Sequence, residues 1–166
     1  MDKTVQWKTL VSNTNFKLLL LILFLSSSCA GSRMARDQKV EEVISRARSY
    51  TGTPYRYGGT TTLGMDCSGL LMRSFEVIDI YIPRTAKEQS KLGKRVSINQ
   101  LEEGDLVFFK TLKKQGRITH AGLVTDARKR DRIMVIHASS SRGVMEVNLM
   151  TEYYRKSFVK AKRIKF

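Results

Sequence analysis

Cys67, His120 and His137 are the residues whose types can do nucleophilic chemistry together. The chain holds two cysteines and two histidines in 166 residues, so a thiol with two imidazoles draws on most of this inventory. A cysteine nucleophile needs a favoured thiolate, a base or imidazolium partner, and donors for a developing oxyanion. Cys67 lies in Asp66-Cys67-Ser68-Gly69, where a glycine-rich stretch gives way to a helical pattern starting at Cys67 or Ser68. A helix start offers unpaired N–H groups and the positive end of the helix dipole, both of which favour a thiolate. Both histidines lie in apolar strand-like runs, Thr119-His120-Ala121-Gly122 and Ile136-His137-Ala138-Ser139. Neighbouring strands would put His137 beside His120, where it would fix the tautomer and orientation of that ring. A zinc site is the competing use of one Cys and two His, but no short ligand spacing supports it. No metal or organic cofactor is expected.

The other cysteine, Cys29, bears on the compartment. Lys3, Lys8 and Lys17 precede an apolar run from Leu18 to Leu25, followed by Ser26-Ser27-Ser28-Cys29. A basic start, a short apolar run and small residues make a secretory signal over residues 1–28. The run is far short of the roughly 20 residues needed to span a bilayer. Small residues before a Cys resemble a bacterial lipobox, although Ser26 stands where that motif has Leu. The resemblance implies acylation of Cys29 and a membrane anchor, with an ordinary signal and an incidental Cys as the alternative. With Cys29 modified, Cys67 is an unpaired thiol in an exported chain, and a disulfide framework is excluded. Pairing of Cys29 with Cys67 is the competing arrangement. Ala30 after Cys29 points toward the outer membrane.

Composition narrows the remaining classes. Thirty Lys and Arg against 15 Asp and Glu give a net charge of +15, a field that attracts anionic polymers and lipids. The basic residues are scattered and lack an aromatic recognition pattern, which argues against nucleic acid. Hydrophobic content of 42% excludes a disordered chain.

The elements that must position this chemistry follow from periodicity. Residues 29–37 read as a polar tether. Asp37 caps a helix carrying Val40, Val43, Ile44 and Ala47 at helical spacing, which ends near Thr51-Gly52-Thr53-Pro54. A helix from Cys67 buries Leu70, Leu71, Phe75 and Ile78, and Thr85 to Leu92 form a short third one. Strand patterns then cover Leu106–Phe109, Ile118–Val124, Ile133–Ala138, Val144–Val147 and Phe158–Phe166. Helices before strands indicate an α+β domain over residues 38–166, its helices packed on one side of an antiparallel sheet.

Five elements in register resemble the NlpC/P60 cell-wall peptidases. They are Gly52-Thr53-Pro54-Tyr55-Arg56-Tyr57-Gly58-Gly59, Gly64-Met65-Asp66-Cys67-Ser68-Gly69, Pro83-Arg84-Thr85 with Gln89, Gly104-Asp105-Leu106-Val107-Phe108-Phe109, and His120-Ala121-Gly122. The resemblance runs from Glu41 to Phe166 and implies a papain-like core. It implies Cys67 as nucleophile, His120 as general base and His137 as the third polar residue. It also implies a Tyr55 hydroxyl near the oxyanion, and Asp66 and Ser68 holding a free amine of the substrate. Arg84 matches a position that either meets a substrate carboxylate or braces the loop. The implied reaction is hydrolysis of amide bonds in peptidoglycan stem peptides, typically γ-D-glutamyl to a diamino acid, by a monomer. A papain-like amidase or acyltransferase, and a catalytically silent wall-binding lipoprotein, are the alternatives.

Overall fold

The computed structural model describes residues 33–111 and 118–165, and the signal region with Cys29 lies outside them. The chain divides into two compact units, Met1–Gln38 and Lys39–Phe166. Helix α1 spans residues 33–48, beginning before Asp37, so residues 33–37 are helical rather than tether. Met34, Ala35 and Arg36 are good helix formers, which explains the earlier start.

In the larger unit the hairpin β1 (Thr60–Thr61) and β2 (Gly64–Met65) leads into α2 (Cys67–Phe75). The short α3 (Ala86–Gln89) follows, then β3 (Lys94–Val96), β4 (Leu106–Phe109), β5 (His120–Lys129), β6 (Arg132–Ser139) and β7 (Gly143–Asn148). Helix α4 (Glu152–Ser157) and strand β8 (Phe158–Arg163) complete the order. Six strands form one antiparallel sheet in the order β3-β8-β4-β5-β6-β7. The expected α+β architecture is present; the strand expected over Ile118–Val124 instead runs from His120 to Lys129, and the other four lie close to their expected places. The β1–β2 pair, β3 and α4 are additions that periodicity did not reveal, because each is too short to show a period.

The sheet is buried on both faces. Leu106 and Phe108 join Ala121, Leu123 and Ile136 in a core under Val43 and Ile44 of α1 and Leu70, Leu71 and Phe75 of α2. Val107 and Phe109 point the other way, into a second core with Leu101, Val124, Val135 and Leu149. This is why Leu106–Phe109 is apolar without alternation. Full burial of each such side chain stabilises by about 1.5–3 kcal/mol.

One ion pair locks the sheet's far strand. Asp105 is fully buried, and Arg163 on β8 donates to both its oxygens from Nε and Nη2 at 2.8 Å each. The backbone N–H of Glu102 donates to the same carboxylate at 2.9 Å. The Gly-Asp turn before β4 therefore carries a carboxylate whose charge is answered from the C-terminal strand. Breaking a buried pair of this kind by removing one partner costs about 3–5 kcal/mol.

Candidate active site

Asp66 sets the position of Cys67. It is the N-cap of α2, and its Oδ1 accepts from the N–H of Gly69 at 2.7 Å. The same carboxylate accepts from the Gly58 N–H at 2.8 Å and from the Ser68 hydroxyl at 3.1 Å. Arg84 forks onto it, Nη1 to Oδ1 at 2.9 Å and Nη2 to Oδ2 at 2.7 Å. This guanidinium and the two backbone N–H groups hold the Asp66 carboxyl below its usual range, although burial alone would raise it. Arg84 also donates to the Ser68 hydroxyl at 2.9 Å. Gln89 Nε2 ties the Ser68 carbonyl to that of Pro83, at 3.0 and 2.8 Å. The Pro83-Arg84-Thr85…Gln89 run thus braces the first turn of α2. Of the two roles open to Arg84, bracing is the one its contacts describe. Asp66 and Ser68 spend their oxygens on the same brace, so a substrate ammonium would have to displace Arg84. Gly69 lets the Gly59 carbonyl close onto the helix; a Cβ there would lie 2.3 Å from that oxygen.

Cys67 is buried, with 7% of the residue exposed. Burial pushes its thiol up to about 11, opposed by the backbone N–H groups of Ala121, Ser68 and Cys67 itself. The helix start was expected to favour a thiolate; burial outweighs it, and a neutral thiol is the resting form. The Ala121 N–H belongs to the residue after His120, so the top of β5 and the start of α2 meet at the sulfur.

His120 and His137 are brought together as expected. His120 Nε2 lies 2.7 Å from His137 Nδ1, with the rings edge to face at 4.9 Å between centroids. Gly122 makes this possible: an added Cβ would lie 2.5 Å from Val135 Cγ1 and 3.4 Å from the His137 Cβ. Burial lowers His120 to about 4 and His137 to about 3, the second helped by the neighbouring His120 and Arg142. Both rings are therefore neutral at pH 7.

Sequence reasoning missed Tyr154. Its hydroxyl lies 3.1 Å from His137 Nε2, extending the pair to a chain His120–His137–Tyr154. Two proton arrangements satisfy that chain. If His120 Nε2–H donates to His137 Nδ1, then His137 Nε2–H donates to Tyr154, and His120 Nδ1 keeps a lone pair. In the reverse order Nδ1 carries the proton, and His120 is an acid only. A base role for His120 therefore requires Tyr154 as the terminal acceptor. Tyr154 sits on α4, whose six residues carry only a Thr151 cap signal and nothing linking them to a histidine.

Tyr55 faces the thiol from the loop before β1. It bridges to Met65, and Met65 N–H donates to the Pro54 carbonyl at 3.0 Å. Burial and the nearby Cys67 and Asp66 raise its phenol above the ordinary range, so the hydroxyl remains a donor. Two cavities meet at Tyr55 and Thr119. One, of about 630 Å³, is lined by Asp66, Cys67, Ser68, Arg84 and Lys87; the other, of about 540 Å³, opens beside His120 and His137. Among the described residues no group of three His, Cys, Asp or Glu could hold a metal ion.

This geometry can be set beside known proteins. Residues 52–163 match the model of the NlpC/P60 family. The chain is 36% identical over 158 residues to the Escherichia coli K12 protein named "Probable endopeptidase NlpC", covering 90% of this chain and 99% of that one. It is 34% identical to the Escherichia coli K12 protein named "Murein DD-endopeptidase MepS/Murein LD-carboxypeptidase", over 74% of this chain and 61% of that one. The crystal structure of a NlpC/P60 family protein from Bacillus cereus superposes with a TM-score of 0.66 at 29% identity, over 75% of this chain and 39% of the other.

The two buried imidazoles make stability depend on pH. Unfolding returns both rings to their ordinary value of 6.5, whereas the folded rings titrate near 4 and 3. The unfolded chain thus binds more protons throughout that window, so stability is full above pH 6.5 and falls as pH drops through it. Urea denaturation across the window is expected to show this decline, and His137→Gln should flatten it. A stability that stays level as pH falls from 6.5 to 4 would contradict burial of both rings as neutral groups.

Proposed function

The chain belongs to the NlpC/P60 family, and from that premise we propose that it is a cysteine peptidase that hydrolyses amide bonds in peptidoglycan stem peptides. The observation that carries this reading is the Ala121 N–H at the Cys67 sulfur, which sets the start of α2 against the residue after His120, whose ring is backed by His137 and Tyr154. The Cys67 thiol gives its proton to His120 Nδ1 as sulfur attacks the carbonyl carbon. The oxyanion is met by the backbone N–H of Cys67 and by the Tyr55 hydroxyl. As the C–N bond breaks, His120 returns the proton to the leaving amine, and a thioester remains. Water then gives a proton to His120 and attacks the thioester; the acid product leaves and the thiol regains its proton. His137 and Tyr154 hold the ring in the base-competent tautomer throughout.

The bond proposed is that between γ-D-glutamate and a diamino acid. A γ-linked glutamyl residue carries a free α-carboxylate, and Arg84 and Lys87 line the cavity on the Cys67 side, where such an anion would be favoured. Arg84 is about one-third exposed, so its outer edge remains within reach of a ligand even while it braces Asp66. The proposal extends to export and anchoring. Lys3, Lys8 and Lys17, the apolar run and Cys29 support cleavage before Cys29 and its acylation, holding the enzyme on the periplasmic side of the outer membrane.

Incubation of the full chain with defined muropeptides is expected to release γ-D-glutamyl products, and Cys67→Ala to lower the rate by at least about 10³-fold. Equal product from the Cys67→Ala chain would overturn the cysteine mechanism. Cleavage only at D,D cross-links would overturn the γ-glutamyl assignment and leave the peptidase reading standing.

Tyr154→Phe should lower kcat about tenfold with little change in KM, the size of effect seen when a partner that orients a functional histidine is lost. Ring nitrogen NMR should show His137 losing its Nε2–H form. An unchanged tautomer population in that variant would remove Tyr154 from the account. Cell fractionation tests the anchor: Cys29→Ala is expected to move the chain from the membrane to the soluble fraction, and retention on the membrane would count against lipidation.

A further inference from the structure

The cavity on the His120 side has a chemistry of its own. Its walls include Thr119, His137, Ser139, Arg142 and Tyr153, and among the described residues no carboxylate lines it. Among the described residues that line it, Arg142 is the one that carries a charge apart from the neutral histidines. Among the described residues no hydrogen bond or ion pair occupies the Arg142 side chain. Serine and threonine residues line the same cavity, so its described walls offer a guanidinium and several hydroxyl donors to whatever enters.

Arg142 is also mounted firmly. It lies in the β6–β7 turn, where Ser139 pairs with Gly143. The strand behind that turn is strapped to the Gly52–Pro54 loop: Val144 N–H donates to the Thr53 carbonyl, and Gly52 N–H to the Val144 carbonyl, each at 2.9 Å. That loop leads into Tyr55, so the turn that carries Arg142 is tied by backbone to the segment that holds Tyr55 beside the thiol. Glu146 on β7 is further tied to Arg48 of α1 at 2.8 Å.

The direction of the reaction says which part of a substrate comes here. His120 must reach the leaving nitrogen to protonate it, so the leaving residue lies on the His120 side of the carbonyl carbon. We propose that this cavity is the subsite for the leaving-side diamino acid and that Arg142 pairs with a carboxylate on that residue. The inference rests on the peptidase reading above and adds a specificity to it. A planar guanidinium recognises a carboxylate through parallel charge-assisted hydrogen bonds. A carboxamide in the same place offers no charge and brings N–H groups that face the cation. The enzyme therefore prefers a leaving diamino acid with a free carboxylate over one in which that group is amidated or missing.

Binding to the full chain carrying Cys67→Ala tests this without turnover. The probes are the dipeptide of diaminopimelic acid with D-alanine and the same dipeptide with its side-chain carboxylate amidated. The acid form is expected to bind about ten- to a hundredfold tighter by calorimetry. Arg142→Gln in the same background should bring the acid down to the level of the amide, and Arg142→Lys should restore part of the difference. Equal binding of acid and amide with Arg142 in place, a preference that survives Arg142→Gln, or no binding of either probe would each overturn the proposal. The peptidase reading stands or falls separately, on whether the chain with Cys67 intact cleaves γ-linked muropeptides.

Discussion

The Asp66 carboxylate organises the rest of the site. Its two oxygens accept from Gly58, Ser68, Gly69 and the forked guanidinium of Arg84, so five donors converge on one buried acid. Three separate parts of the chain are thereby fixed to each other: the glycine loop, the start of α2 and the segment before α3. Cys67 follows Asp66 directly, and its place at the first helical position depends on that cap. An isolated N-cap contributes about 1 kcal/mol. Here the cap is also half of a largely buried ion pair, whose rupture would strand a charge at 4% exposure.

Burial works against the chemistry in a consistent way. The thiol is held neutral and both imidazoles are held neutral, because a charge in this cleft loses its water. The proposed proton transfer from Cys67 to His120 therefore has to be supported at the moment of reaction by groups already in place. Those groups are backbone N–H donors at the sulfur and a hydrogen-bonded chain behind His120. A helix terminus and a strand start provide both at no cost in reorganisation, since their geometry is set by the fold. The same low polarity strengthens every hydrogen bond in the chain from His120 to Tyr154.

The two cavities that meet at Tyr55 differ in what lines them. The one beside Cys67 combines a braced carboxylate with Arg84 and Lys87; the one beside His120 carries hydroxyls and Arg142. This asymmetry suits the proposed reaction, which puts the acyl part on the thiol side and the amine part on the histidine side.

Much of this was legible in the sequence because it rests on local chemistry. Asp66-Cys67-Ser68-Gly69 announces a capped helix start, since an Asp cap needs only the N–H three residues later. Helical periods marked the main helices, and alternating or continuous apolar runs marked five strands, because burial of one face or of both leaves its own spacing in the chain. The pairing of His120 with His137 also followed from strand neighbours. Short elements escaped: α4 and β3 have too few residues to show a period, and Tyr154 is joined to His137 only by the sheet's return through α4. The saturation of Asp66 by Arg84, 18 residues away, likewise needed the folded chain. Residue type and spacing determined which groups could react. Tertiary structure decided how buried they are, which protons they hold and which partner each one faces, because desolvation and long-range contacts exist only once the chain has closed on itself.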